Sequence, residues 1–371
     1  MNIDRIKIVG FKSIAEVTLD QLKPYSVFAG PNGAGKSNLM DALAFVGAVI
    51  ELGAIKALRK FNGFSHIHCY KFRKNKARTF EFAIDATMKG EKLSYALKIH
   101  DMDTAPSLEE QLSVAGKTIL QRKKGESPKL VHETGGSLDE VPNMPVDFSA
   151  LLLTQQFPLY QYLTNIQIFR FDPLGAKEPD ASSTDTSELD GQGHNVATML
   201  AVLEKDEEFS TQITDWMALL VPGMQEVRSE QQRLDGRTVI KFKEEGIKTH
   251  FPAKLISDGT IYALCIMTAV LSRSKGYGLT LMEEPERGIH PKAIEQLVAL
   301  MRDNATPEHP VLVTTHSESL VRASSMEELW LINKEDGKTV VKNAAVNSGD
   351  LGKLNLDTAW LMNLFGGGLP W

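Results

Sequence analysis

The sequence predicts an α/β fold: a mixed central sheet, an attached antiparallel sheet, and a small helical lobe inserted between the two halves of a phosphate-loop unit. Three observations predict it. A short apolar run, "YSVFA" at Tyr25 to Ala29, leads into a glycine-rich loop and then into residues at helical spacing. Two later runs, "GLTLMEEP" and "PVLVTTHS", have the continuous apolar character of parallel strands buried on both faces. Between them lie β-prone alternations and one stretch of helical periodicity.

Taken in order, "IDRIKIVGFKSIAEVTLD" alternates apolar and polar residues around Gly10, which predicts two strands joined by a kink or turn. After the loop, "SNLMDALAFVGAVIEL" reads as a helix. "TFEFAIDATMKGEKLSYALKIHD" holds two β-prone runs separated by Lys89-Gly90-Glu91, a hairpin signal, and further strands are expected near Leu112 to Arg122 and Lys129 to His132. From Pro173, "PLGAKEPDASSTDTSELDGQGHN" is a loop or linker by composition. "VATMLAVLEKDEEFSTQITDWMALLV" then reads as two amphipathic helices, and "RTVIKFKEEGIKTHFP" as a β-like stretch returning the chain to the phosphate-loop unit. The expected division is residues 1–175 and 257–371 for the two halves of that unit and 176–256 for the helical lobe. No sustained heptads are present, so no long coiled coil is expected.

Composition narrows the class. In 371 residues, 41 Lys and Arg stand against 47 Asp and Glu, so any nucleic-acid contact must come from a local patch. Cys69 and Cys265 lack metal-type spacing and read as reduced core thiols of a cytoplasmic protein. The charged, alternating N-terminus is no secretory signal, and the apolar run Ala42 to Ile50 is too short for a bilayer, so no membrane partner is expected.

The chemistry-bearing residues fall into four groups. Gly30, Pro31, Asn32, Gly33, Ala34, Gly35, Lys36 and Ser37, followed by Asn38, match G-x-x-x-x-G-K-[ST]. Glycines let backbone N–H groups converge on phosphate oxygens at a helix N-terminus; Lys36 is expected to reach the β/γ phosphates and Ser37 to bind Mg²⁺. In "LTLMEEP", a strand delivers paired acids to the sheet edge, Glu283 for the magnesium shell and Glu284 as general base. "VLVTTHS" brings His316 to the same edge, where it could answer charge developing on the γ-phosphate. Ser257 and Gly259 begin an apolar helix; Ser257 reads as an N-cap or as part of a second anion-binding turn, one that serves another chain's nucleotide.

In this order the motifs resemble the ABC-type P-loop NTPase heads of the RecF/SMC class, closest to stand-alone RecF-like ATPases often labelled AAA-family. "IDRIKIVGFKSIAEVTLDQLKPYSVFAGPNGAGKSNLMDAL", "DGQGHNVATMLAVL", "LISDGTIYALCIMTAVL", "LMEEPERGIHP", "VLVTTHSESLV" and the Gly-rich, Trp-containing ending are similar to theirs; residues from about 55 to 145 match only in general character. The resemblance implies ATP and Mg²⁺ as cofactors, Ser257, Asp258 and Gly259 as the signature acting in trans, His316 as the switch histidine, and Glu286 to His290 as the D-loop at a dimer interface. It offers Gln155 or Gln156 for the Q-loop glutamine and Lys12 as a basic residue near the nucleotide. Two departures stand out: Glu283 where transporters and SMC heads usually have Asp, and "SDGT" in place of an S-G-G-Q core.

The resemblance thus implies an ATPase that dimerises head-to-tail on ATP. One role is DNA maintenance by a RecF-like clamp, for which "KFRKNKAR" supplies five basic residues in eight. The other is a sensor or scaffold of a defence or toxin-type system controlling a separately encoded effector such as a nuclease. Only about 55 residues follow His316, which is why a fused nuclease is not expected. A protein that binds ATP and barely hydrolyses it is the third reading.

Overall fold

The computed structural model describes residues 1–131, 138–180, 188–346 and 354–365. Three expectations reach outside them: His132, residues 181–187 of the linker, and residues 351–353 and 366–371 of the Gly-rich ending. In chain order, β1 (Asn2–Phe11), β2 (Ile14–Asp20) and β3 (Tyr25–Ala29) precede helix α1 (Lys36–Leu52). Next come β4 (Phe80–Met88), β5 (Glu91–His100), β6 (Ser107–Val114), β7 (Lys117–Arg122), β8 (Lys129–Val131), β9 (Leu138–Glu140) and β10 (Ile166–Phe169). β11 (Met224–Gln231), β12 (Thr238–Glu244) and β13 (Phe251–Pro252) are followed by β14 (Leu279–Glu283), β15 (Val311–Thr315), β16 (Leu329–Glu335) and β17 (Lys338–Asn343).

These strands form three sheets. The central one has the order β10-β14-β15-β3-β16-β17, parallel except for the β16–β17 hairpin. Its inner strands β3, β14 and β15 are buried on both faces, and successive residues point to different cores. Val27 and Ala29 join the cluster with the Asp258–Arg273 and Pro291–Asn304 helices, whereas Phe28 joins the cluster with α1 and the antiparallel sheet. Leu312 between Val311 and Val313 repeats the pattern. Continuous apolar runs are what such a sandwiched sheet requires.

The attached sheet has eight strands in the order β2-β1-β4-β5-β6-β7-β8-β9, antiparallel throughout. Two of its hairpins close on two-residue turns with positive φ, Lys89-Gly90 and Ala115-Gly116, whose twist matches that of the strands. The first hairpin turns at Lys12 (φ 47°) and Ser13, not at Gly10. Gly10 stays inside β1 because the strand passes so close to Thr79 that a Cβ would sit 2.6 Å from its carbonyl oxygen.

The segment read as a helical lobe carries the two expected helices, Val196–Leu203 and Glu207–Leu220, and also a sheet of its own, β11-β12-β13. The stretch expected to rejoin the phosphate-loop unit is instead strands of this sheet, with Val227 opposite Phe242 in the β11–β12 register. Burial explains the difference: Val227, Ile240 and Phe242 close the apolar side of the lobe against Met217 and Leu200. Among the described residues no helix is long and apolar enough to cross a membrane.

One buried polar cluster gives the fold a pH signature. Thr280 Oγ1 on β14 accepts from Arg273 Nε at 3.1 Å and lies 2.9 Å from His309 Nε2. Burial, helped by the Arg273 charge, pushes the His309 imidazole down from 6.5 to about 4. The unfolded chain therefore takes up a proton in this window that the folded chain refuses; the stabilisation is full above the unfolded value and is lost as pH falls toward the folded one. Thermal or urea unfolding between pH 7 and pH 4 is expected to show an acid-side loss of roughly 3 kcal/mol, which His309→Gln removes.

Candidate nucleotide site

Parallel register brings the motif residues to one edge. β15 sets Thr314 opposite Glu283 on one side and Thr315 opposite Ala29 on the other, so β3, β14 and β15 all release their loops together. This is the carboxyl edge where open α/β sheets bind ligands.

The loop after β3 is braced from behind. A Cβ on Gly30 would sit 2.1 Å from the Ile332 carbonyl oxygen, and one on Gly35 (φ 108°) 2.0 Å from Thr339 Oγ1. Thr339 Oγ1 donates to the Ala34 carbonyl at 2.9 Å and lies 2.7 Å from Ser13 Oγ. Asn38 Nδ2 donates to Ser13 Oγ at 2.6 Å, so its side chain ties α1 to the β1–β2 turn. Asn32 and Gly33 form the exposed tip. Lys36 Nζ donates to the carbonyls of Gly30 (2.8 Å) and Pro31 (3.2 Å), leaving one ammonium hydrogen to give. Burial lowers the Lys36 pKa, and Glu284, Glu286 and Glu283 oppose that shift.

The two acids after β14 face different partners. Ser37 Oγ donates to Glu283 Oε2 at 3.2 Å, the pair expected to hold a magnesium shell. Glu284 Oε1 lies 3.0 Å from His316 Nδ1, with both side chains partly open to solvent. Glu284 has φ 49°, a left-handed backbone uncommon for a side chain of this size. Its amide donates to the Thr314 carbonyl at 2.9 Å and its carbonyl accepts from Tyr262 Oη at 3.1 Å, which holds that conformation.

Ser257 caps the Asp258–Arg273 helix, its Oγ accepting from the Thr260 amide at 3.2 Å. Asp258 pairs with Lys177, whose Nζ also donates to the Ile256 carbonyl at 2.7 Å. A Cβ on Gly259 would meet the Gly288 carbonyl oxygen at 2.1 Å, so the helix start and the segment after Glu286 pack backbone to backbone. That segment is anchored by Glu286, which accepts from Thr315 Oγ1 at 2.6 Å. Burial pushes the Glu286 carboxyl up, against the Thr315 and His316 interactions that favour its charge.

Gln155 and Gln156 are exposed residues just after the 3-10 turn Ala150–Thr154, before the strand that neighbours β14 has begun. The side chain that reaches the carboxylates is Arg170, one residue past β10, with Nη2 2.8 Å from Glu283 Oε1 and 2.6 Å from Asp41 Oδ1. Lys12 Nζ binds the other Asp41 oxygen at 2.5 Å. Lys12 is thereby tied through Asp41 to α1, the helix that follows the loop. Arg170 and Asp41 escaped sequence reasoning; the β10 run "IQIF" ahead of the arginine was the available signal.

Residues 26–322 match the family described as "AAA domain, putative AbiEii toxin, Type IV TA system". The chain belongs to this family. Membership places it among proteins with an AAA-type ATPase domain. Among curated proteins, it is 35% identical over 68 residues to the chromosome partition protein Smc of Methanocaldococcus jannaschii, covering 18% of this chain and 6% of that protein. The Smc of Bacillus subtilis is 45% identical over 47 residues, covering 12% of this chain and 4% of that protein. The chain therefore spans under a tenth of these relatives' length in the matched parts. Among solved structures, an Smc head bound to the C-winged helix domain of ScpA superposes with TM-score 0.60 at 14% identity, over 92% of this chain and 98% of that one. This likeness is one of fold.

Proposed function

We propose that this protein is a Mg²⁺-dependent ATP hydrolase that closes as a head-to-tail homodimer around ATP. The Glu284–His316 contact of 3.0 Å, at the same sheet edge as the Ser37–Glu283 pair, is the observation that carries the reading. Hydroxyl and carboxylate oxygens are a hard donor set that suits Mg²⁺ completed by water and phosphate oxygens. When bound, the ion would neutralise phosphate charge. The loop amides and the remaining Lys36 hydrogen hold the triphosphate. Glu284 takes the proton of the attacking water, and His316 orients that carboxylate. Ser257 and Gly259 offer the first-turn N–H groups of a 16-residue helix to the nucleotide of the partner subunit. In this reading residues 1–175 and 257–371 form the nucleotide lobe, and 176–256 form the lobe that carries Lys177 and the strand before the signature. Buried free Cys69 and Cys265 suit a cytoplasmic setting.

The test is phosphate release by the wild type beside Lys36→Ala. The variant is expected to lose at least about a hundredfold, as when a preorganised donor to developing phosphate charge is removed. Equal rates would point to a contaminant or to a protein that binds ATP without turning it over.

For the biological role, a family named for a putative toxin of a type IV toxin–antitoxin system supports the toxin-type reading, in which this chain would control a separately encoded effector. The DNA-clamp reading has its own support, because Lys71, Arg73, Lys74, Lys76 and Arg78 are all exposed. Co-purification of the native complex separates the two: a stoichiometric protein partner supports the first, and salt-sensitive DNA affinity without one supports the second.

A further inference from the structure

Charged side chains meet beside the loop in a line that no motif announces. Lys12 holds Asp41, Arg170 Nη2 bridges Asp41 and Glu283, and Ser37 holds the second Glu283 oxygen. Both carboxylate side chains are 16% exposed and Arg170 is 45% exposed, so the bridge lies at the mouth of the site. Its geometry follows from the sheet: Phe169 pairs with Met282 in the parallel β10–β14 register, so Arg170 and Glu283 leave the edge side by side.

The guanidinium lies 2.8 Å from one oxygen of Glu283, the carboxylate that a dication held with Ser37 would need. Each Glu283 oxygen already accepts one hydrogen bond, and a fixed positive charge within 3 Å raises the cost of bringing Mg²⁺ to the same group. The unusual length of this residue also acquires a reason. An Asp would withdraw the carboxylate by about 1.5 Å and could not keep both Ser37 and Arg170.

We infer that Arg170 is a positioning residue, an internal counter-cation that holds the Glu283 carboxylate and yields it to Mg²⁺ when the metal–nucleotide complex enters. Cation exchanges for cation, and Arg170 then stays with Asp41. Its use in turnover rests on the ATP reading above; the exchange itself does not.

The first measurement titrates Mg²⁺ into the full chain at fixed mant-ATP and follows fluorescence. Arg170→Ala is expected to lower the half-saturating Mg²⁺ about fivefold, the scale of a partly exposed ion pair, and Arg170→Lys to stay near wild type. An unchanged or raised midpoint in Arg170→Ala overturns the inference. The second measurement is thermal unfolding without nucleotide and with Mg²⁺ alone. Arg170→Ala is expected to melt below wild type and to recover as Mg²⁺ is added, while wild type does not respond. A flat response in the variant also overturns the inference. Wild type that binds no mant-ATP at any Mg²⁺ concentration would sink the ATP reading, and the nucleotide-free melts would still decide Arg170.

Discussion

Glu284→Gln is expected to slow ATP turnover by about a thousandfold while leaving ATP binding intact, and to accumulate a dimer in Mg-ATP that is absent without nucleotide. Gln matches Glu in length and shape, so the φ of 49°, the amide bond to Thr314 and the Tyr262 bond to the carbonyl can all persist. What the amide cannot do is take a proton from water. The histidine stays, but its partner changes from a carboxylate to a neutral group. If hydrolysis reopens the dimer, blocking the proton transfer leaves the closed state populated. Phosphate release and size-exclusion chromatography with light scattering, with and without Mg-ATP, give the two readouts. A variant that turns over like wild type moves the general base elsewhere, and one that stays monomeric in saturating Mg-ATP removes the closure step.

Much of this site was legible because its parts are local. The order strand, Gly30 to Ser37, helix is contiguous, and so are the apolar runs that deliver Glu283 and His316. The Lys89-Gly90 turn was legible for the same reason, since positive φ at both central residues is a demand made within a few residues. Arg170 was not legible. Its role comes from the β10–β14 pairing across more than a hundred residues, and four residues of strand carry too little pattern to assign a neighbour. The lobe sheet was missed on similar grounds: "RTVIKFKE" shows that a strand exists, but only burial of Val227 and Phe242 against the lobe helices decides which sheet it joins. Gly259 is a case where both readings of the sequence apply at once. Its lack of a Cβ is required by the Gly288 carbonyl, whatever it offers to a phosphate.

That double duty makes single substitutions in the signature ambiguous, and a mixing experiment resolves them. Ser257→Ala removes a cap, which alone costs about 1 kcal/mol of stability and leaves the fold standing. Lys36→Ala removes the ammonium that the loop carbonyls of Gly30 and Pro31 hold in place. If each pocket combines one chain's loop with the other's signature, each variant alone is expected to lose about a hundredfold or more in turnover. An equal mixture should then recover. Half of the dimers are mixed, and in each mixed dimer one of two pockets pairs an intact loop with an intact signature. The expected activity is half of one half, about a quarter of wild type, for a two-fold symmetric dimer whose pockets work independently. Pockets contained within one chain give no recovery at any ratio, because neither variant ever holds both intact parts. The size of the recovered activity also reports coupling: a value well below a quarter, with dimers present, means that both pockets must be filled before either fires.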